Sequence, residues 1–119
     1  MGKNKLKRFE ENLKFTTLFQ PNISYPPPDD ALKGNWNTSY FKNNNPIVLE
    51  LGCGRGEYTI ELAKKFPDKN FIGIDWKGAR LWRGAKTAFE ENMLNAAFLR
   101  IQILNCYAFF APGEVRKFF

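Results

Sequence analysis

Histidine does not occur in this chain, so a histidine-ligated metal centre and a histidine general base are both excluded. Cysteine occurs twice, as Cys53 and Cys106. That is too few and too scattered for a thiolate cage, so no metal site is expected. Cys53, within the glycine turn, has no neighbouring base in sequence that would activate it as a nucleophile. No apolar run approaches the roughly eighteen residues a membrane-spanning helix needs. The amino terminus is polar and charged where a secretory signal requires an apolar stretch of about seven residues or more. A cytoplasmic location without membrane contact is therefore expected. No internal repeat is evident.

What the chain does have is an excess of positive charge. Lysine and arginine total 18 against 12 acids, a net charge of +6, and the isoelectric point of 9.4 exceeds the value of about 9 that marks a nucleic-acid footprint. Half of that excess lies in residues 1–15, where Lys3, Lys5, Lys7, Arg8 and Lys14 face Glu10 and Glu11 for a net of +3. Such an arm can contact phosphates without reading sequence, and charge alone fits a solvated tail equally well. Residues 16–46 read as a connecting region. Pro21, Pro26, Pro27 and Pro28, then Asp29 and Asp30, then Asn43-Asn44-Asn45-Pro46, interrupt any long helix or strand. At most a short helix fits around residues 30–33.

The chemistry concentrates after this region. Ile47, Val48, Leu49 and Leu51 form a nearly continuous branched apolar run, the pattern of a central strand of a parallel sheet covered on both faces. Gly52, Gly54 and Gly56 follow, permitting a sharp turn and a close approach of a ligand to the main chain. From about Glu57 to Lys65 the sequence reads as a helix, stopped by Pro67, so the turn sits at a helix N-terminus that favours an anionic group. Phe71 to Ile74 read as a second strand with Asp75 at its carboxyl end, where an acid can accept hydrogen bonds from both hydroxyls of a ribose. Together these elements make a pocket for a nucleoside carrying a charged tail. A dinucleotide fingerprint would place its third glycine where Glu57 stands, so a nicotinamide dehydrogenase is disfavoured.

A helix is expected over residues 77–95, with Gly78, Leu81, Trp82, Ala85, Ala88 and Phe89 on its apolar face. Lys77, Arg80, Arg83 and Lys86 make a basic band that winds gradually round it. This band fits either RNA phosphates or an ordinary solvated face. A third strand is expected over residues 98–104.

The form Glu-x-Gly-x-Gly-x-Gly, from Glu50 to Gly56, resembles motif I of the S-adenosylmethionine-dependent methyltransferases. Taken with Gly34-Asn35-Trp36-Asn37, the strand Phe71 to Asp75, and Lys77-Gly78-Ala79-Arg80, it resembles the bacterial tRNA (guanine-N7)-methyltransferase family from the basic N-terminus to about Val115. The resemblance implies a Rossmann-like α/β fold of class I, S-adenosyl-L-methionine as cofactor, and methyl transfer to N7 of a guanine in tRNA. It assigns Glu50 to the methionine end of the cofactor and Asp75 to its ribose, with Gly52 and Gly54 beneath it. Asn105 stands where the family usually has an aspartate near the adenine, and an amide there can still bond the base edge. Trp76 can lie against the adenine ring or serve as a core aromatic. The family's Phe-Pro-Asp-Pro-like segment, which carries an acid implicated in substrate handling, has no counterpart before Phe119, so no catalytic residue is assigned.

These readings divide the chain into an arm and connecting region at 1–45 and a cofactor-binding domain at 46–119. Only the N-terminal half of the fold, about three parallel strands with flanking helices, is expected. The first strand, 47–51, would then expose an unpaired edge through which chains could self-associate. Two functions follow: a tRNA methyltransferase of which this chain supplies the cofactor half, or a fragment that at most binds cofactor or RNA.

Overall fold

The computed structural model describes residues 2–119, and their side chains from Asn4 onward; Met1 and the Lys3 side chain, both part of the basic arm, lie outside the described set. In chain order the elements are α1 (Gly2–Asn12), β1 (Leu18–Phe19), a π-helical turn (Trp36–Phe41), β2 (Ile47–Leu51) and α2 (Glu57–Lys65). Then come β3 (Asn70–Asp75), α3 (Gly78–Glu90), β4 (Ala96–Arg100), a 3-10 segment (Ile103–Ala108) and β5 (Val115–Phe118). The strands form one parallel sheet in the order β1-β4-β3-β2-β5.

Alternation along the strands explains why both faces are buried. Ile47, Leu49, Ile72, Ile74, Ala97 and Leu99 point into one apolar layer, and Val48, Phe71, Ala96 and Phe98 into the other. A strand sandwiched in this way must be apolar at every position, which is why its sequence reads as a run rather than an alternation. Helices α2 and α3 cover the second layer through Ile60, Ala63, Leu81, Ala85 and Ala88. α2 begins with Glu57 and ends with Lys64 and Lys65, matching the helix dipole at both ends.

The other layer is closed by the region between the strands. Trp36 is fully buried, stacks on Phe110 at 5.4 Å and 11°, and donates its indole N–H to the Phe109 carbonyl at 2.8 Å. The Gly34 to Asn37 stretch is anchored by Glu114, whose carboxylate accepts from the N–H groups of Gly34 (2.7 Å), Trp36 (3.2 Å) and Ala111 (2.9 Å). Asn70, fully buried at the start of β3, donates to Asn43 Oδ1 at 2.7 Å and Asn37 Oδ1 at 2.9 Å. The half-buried Asn37 and Asn43 thus satisfy the one fully buried amide among them, Asn70.

The structure corrects the sequence reading in four places. The sheet has five strands, not three. β5 pairs with β2 on the side expected to be open: Ile47 lies opposite Val115 and Leu49 opposite Phe118. The Leu51 N–H reaches the Phe119 carbonyl at 3.0 Å. The premise for self-association through an unpaired 47–51 edge therefore falls. The outer edge now belongs to β5, which carries the exposed bases Arg116 and Lys117, a charged rim of the kind that discourages edge-to-edge pairing.

The third strand runs over 96–100 rather than 98–104, because Ile103 and Leu104 turn outward in the 3-10 segment, with 48% and 82% exposure. Helix α3 stops at Glu90, short of the expected 95. The basic arm, which charge alone left open between a phosphate-contacting arm and a solvated tail, forms a helix docked on α3. Asn12 Nδ2 donates to the Gly78 carbonyl at 2.9 Å, and the Arg8 guanidinium lies 4.6 Å from the Trp82 ring centroid.

The Phe98 ring fixes how closely α2 and α3 approach the sheet. A Cβ built on Gly56, Gly73 or Gly84 would come within 2.5, 2.8 and 2.6 Å of that ring. Gly84→Ala should therefore destabilise the chain by about 1–3 kcal/mol through overpacking. In a urea melt, the Phe98→Leu/Gly84→Ala double variant should lose less than the sum of the two single losses, as expected for residues in contact.

Candidate functional site

The carboxyl ends of β2 and β3 meet at the glycine turn, and main-chain bonds lock them together. The Cys53 N–H donates to the Ile74 carbonyl at 2.9 Å, and the Gly56 N–H turns back to the Cys53 carbonyl at 3.0 Å. Asp75 closes the junction. Its Oδ2 accepts the Gly54 N–H at 2.8 Å and its Oδ1 accepts the Lys77 N–H at 3.0 Å. One carboxylate thus holds both the turn and the entry to α3. Each of its oxygens retains acceptor capacity beyond the one bond it makes.

Gly52 is exposed at φ +69°, and a Cβ placed there would meet no atom within 4 Å. The main chain at the mouth of the turn is therefore open to a ligand. Gly54, at φ +58°, is buried, and a Cβ there would sit 2.8 Å from the Arg80 guanidinium.

Glu50, half-buried near the end of β2, accepts a hydrogen bond from the Thr59 hydroxyl of α2. Glu50, Gly52, Gly54 and Asp75 therefore lie together at one end of the sheet. Trp76 follows Asp75 with 49% of its surface exposed, its ring 5.3 Å from the Arg100 guanidinium. Arg100 also donates from Nε to the Trp76 carbonyl at 3.0 Å. Asn105 lies in the 3-10 segment, buried, its Nδ2 donating to the Tyr25 hydroxyl at 3.2 Å. Its amide supports a wall instead of opening onto free space. Tyr25, Gln20, Trp76 and Arg100 line a small cavity of about 260 Å³ beside Trp76.

A cavity of about 680 Å³ lies next to the glycine turn, between α1 and the start of α3.

A family model described as "Putative methyltransferase" matches residues 44–119, the whole of the glycine turn, β3, α3, β4 and β5. The chain belongs to this methyltransferase family. Among curated relatives of this family member, a tRNA (guanine-N(7)-)-methyltransferase of Christiangramia forsetii is 58% identical over 117 residues, covering 98% of this chain and 52% of the relative. One of the same name from Bacteroides fragilis is 50% identical over 120 residues, covering 98% of this chain and 47% of the relative. The chain thus spans about half the length of the curated relatives it matches. A crystal structure of monomeric WbdD aligns with a TM-score of 0.50 at 22% identity, over 89% of this chain and 28% of that one, and shares its fold.

Sequence reasoning missed Tyr25, Gln20 and Arg100. The first two sit in a segment legible only as a linker, and Arg100 was hidden within an apolar strand. Arg80 was read as part of a helix band, and its place over Gly54 follows only from the docking of α3.

Cys53 carries a thiol pushed well above its ordinary value of 9.0, first by burial and then by the charges of Glu50 and Asp75. It is a packing group, seated against Gly73. In a Cys106→Ser variant we expect alkylation by iodoacetamide to stay slow through pH 7 to 9 and to become rapid on unfolding. The folded thiol stays protonated while the unfolded one ionises near 9.0. Its contribution to stability is therefore complete below that pH and declines as pH rises further. Rapid labelling of the native chain at pH 8 would contradict this assignment.

Proposed function

We propose that this chain binds S-adenosyl-L-methionine at the ends of β2 and β3 and serves as the cofactor-binding part of a tRNA (guanine-N7)-methyltransferase. The observation that carries the reading is the Asp75 carboxylate. It is fastened to the Gly54 and Lys77 N–H groups and still able to accept, beside the open main chain at Gly52. The donor set fits the group: a carboxylate for the ribose hydroxyls, bare main chain under the tail, Glu50 at the far end, and the exposed Trp76 ring for the adenine. Asn105 would act on the adenine through Tyr25, the group it bonds.

When bound, the cofactor supplies an electrophilic methyl group on sulfonium sulfur. The chain's own part is to hold and orient. Guanine N7 carries an available lone pair, so no strong base is needed and positioning supplies most of the rate. No residue here is assigned as catalytic. The net charge of +6 supports tRNA as the partner, and a tRNA substrate fits work in the cytoplasm.

A second reading, cofactor binding without turnover, is favoured by one fact: the chain spans only 52% and 47% of the two relatives described above. Calorimetry with S-adenosylmethionine tests the binding that both readings share, and we expect binding. A methyl-transfer assay on unmodified tRNA tests turnover: transfer by this chain would overturn the second reading. Asp75→Ala should weaken binding at least about tenfold, since a hydrogen bond to a charged group is worth about 1.5–3 kcal/mol. Unchanged affinity in that variant would remove the basis of the assignment.

A further inference from the structure

We propose that Arg100 is a positioning residue for the adenine end of the cofactor, holding the Trp76 ring in place as the surface against which the base lies. The proposal rests on the functional reading above and adds to it a residue from a neighbouring strand. Arg100 ends β4 and stands in register with Asp75 at the end of β3, so strand pairing brings it to the same carboxyl edge as the acid assigned to the ribose. Half-buried there, it has no carboxylate within ion-pair distance among the described residues. Neutralising an acid is therefore not its work.

Its hydrogen bonds go to neutral groups bordering the crevice. Nε donates to the Trp76 carbonyl at 3.0 Å, and Nη1 to Gln20 Oε1 at 3.4 Å. The planar guanidinium lies over the Trp76 ring, 5.3 Å from its centroid, and 5.7 Å from that of Phe9 in α1. Gly78 leaves room for this arrangement, since a Cβ there would come 3.2 Å from Arg100 Nε and Cζ. One side chain thus grips both the main chain and the ring of Trp76. An indole with 49% of its surface exposed would otherwise turn among its rotamers. Backed by the guanidinium, the ring is set before a ligand arrives, so binding need not order it. The cavity of about 260 Å³ lined by Gln20, Tyr25, Trp76 and Arg100 gives the base its place beside that ring. Lysine would not serve, because an ammonium lacks the flat face and the rigid fork of donors.

The test compares S-adenosylhomocysteine with S-ribosylhomocysteine, which lacks the base, by calorimetry on the whole chain, the weaker ligand being followed by displacement of the stronger. Arg100→Met, similar in length and uncharged, should weaken S-adenosylhomocysteine binding about tenfold, the order expected for loss of one base–aromatic stack. The same variant should hold S-ribosylhomocysteine within about twofold of the wild type. Arg100→Lys should lose nearly as much as Arg100→Met. Trp76→Ala should itself lose about tenfold, and adding Arg100→Met to it should weaken binding little further, because Arg100 acts through that ring. Circular dichroism checks that each variant is folded; should Arg100→Met fail to fold, Arg100→Lys carries the same comparison.

An equal loss for both ligands would mark Arg100 as a structural bolt and overturn the proposal, as would full affinity in Arg100→Lys or additive losses in the double variant. The functional reading fails in a different way. A wild-type chain that binds no S-adenosylhomocysteine takes both down, whereas wild-type binding that Arg100→Met leaves unchanged removes this proposal alone.

Discussion

The hydrogen bond from the Gly54 N–H to Asp75 ties the site together. At 2.8 Å and to a charged acceptor, it is worth about 1.5–3 kcal/mol. It joins the turn after one strand to the end of the next, so neither the glycine backbone nor the carboxylate is free to wander. The second oxygen of Asp75 fixes the first N–H of the α3 entry in the same way. With both strands, the turn and a helix start anchored to one side chain, the crevice is organised before any ligand arrives. Preorganisation of this kind is what lets a small contact set give useful affinity.

The rest of the scaffold makes that junction possible. The helices must lie close enough to the sheet for the turn to bond the carboxyl end of β3. Phe98 sets that distance, with Gly56, Gly73 and Gly84 leaving room for its ring. Gly56 therefore belongs to the packing of the fold, while Gly52 opens the main chain to solvent. Glycines that look equivalent in the sequence have separate duties. On the opposite layer, Glu114 gathers three N–H groups and holds Trp36 in the core, while Tyr25 meets Asn105 through a separate hydrogen bond.

How much of this could be read from the sequence depends on how local the cause is. β2, the glycine turn, α2 and the position of Asp75 followed from apolar runs, glycine spacing and Pro67, all acting within a few residues. β5 was missed because Arg116 and Lys117 make an edge strand look like a polar terminus; its pairing with β2 is a tertiary fact. β1 is only two residues long and exists because β4 offers it a partner. The docking of α1 depends on Asn12 meeting Gly78, 66 positions away, and the wall built by Tyr25 on its meeting Asn105, 80 positions away. No periodicity encodes such meetings. The end of the third strand was overshot because Ile103 and Leu104 are apolar yet exposed, the weak direction of any rule that puts apolar residues inside.

The central claim is that Asp75, held by Gly54, faces a nucleoside lying over the open turn. A crystal structure of the chain grown with saturating S-adenosylhomocysteine tests it most directly. The account predicts ribose hydroxyls within hydrogen-bonding distance of the Asp75 carboxylate, the amino-acid tail along Gly52, and the Gly54 contact intact. An empty crevice, or a ligand bound elsewhere with Asp75 turned away from it, would contradict it.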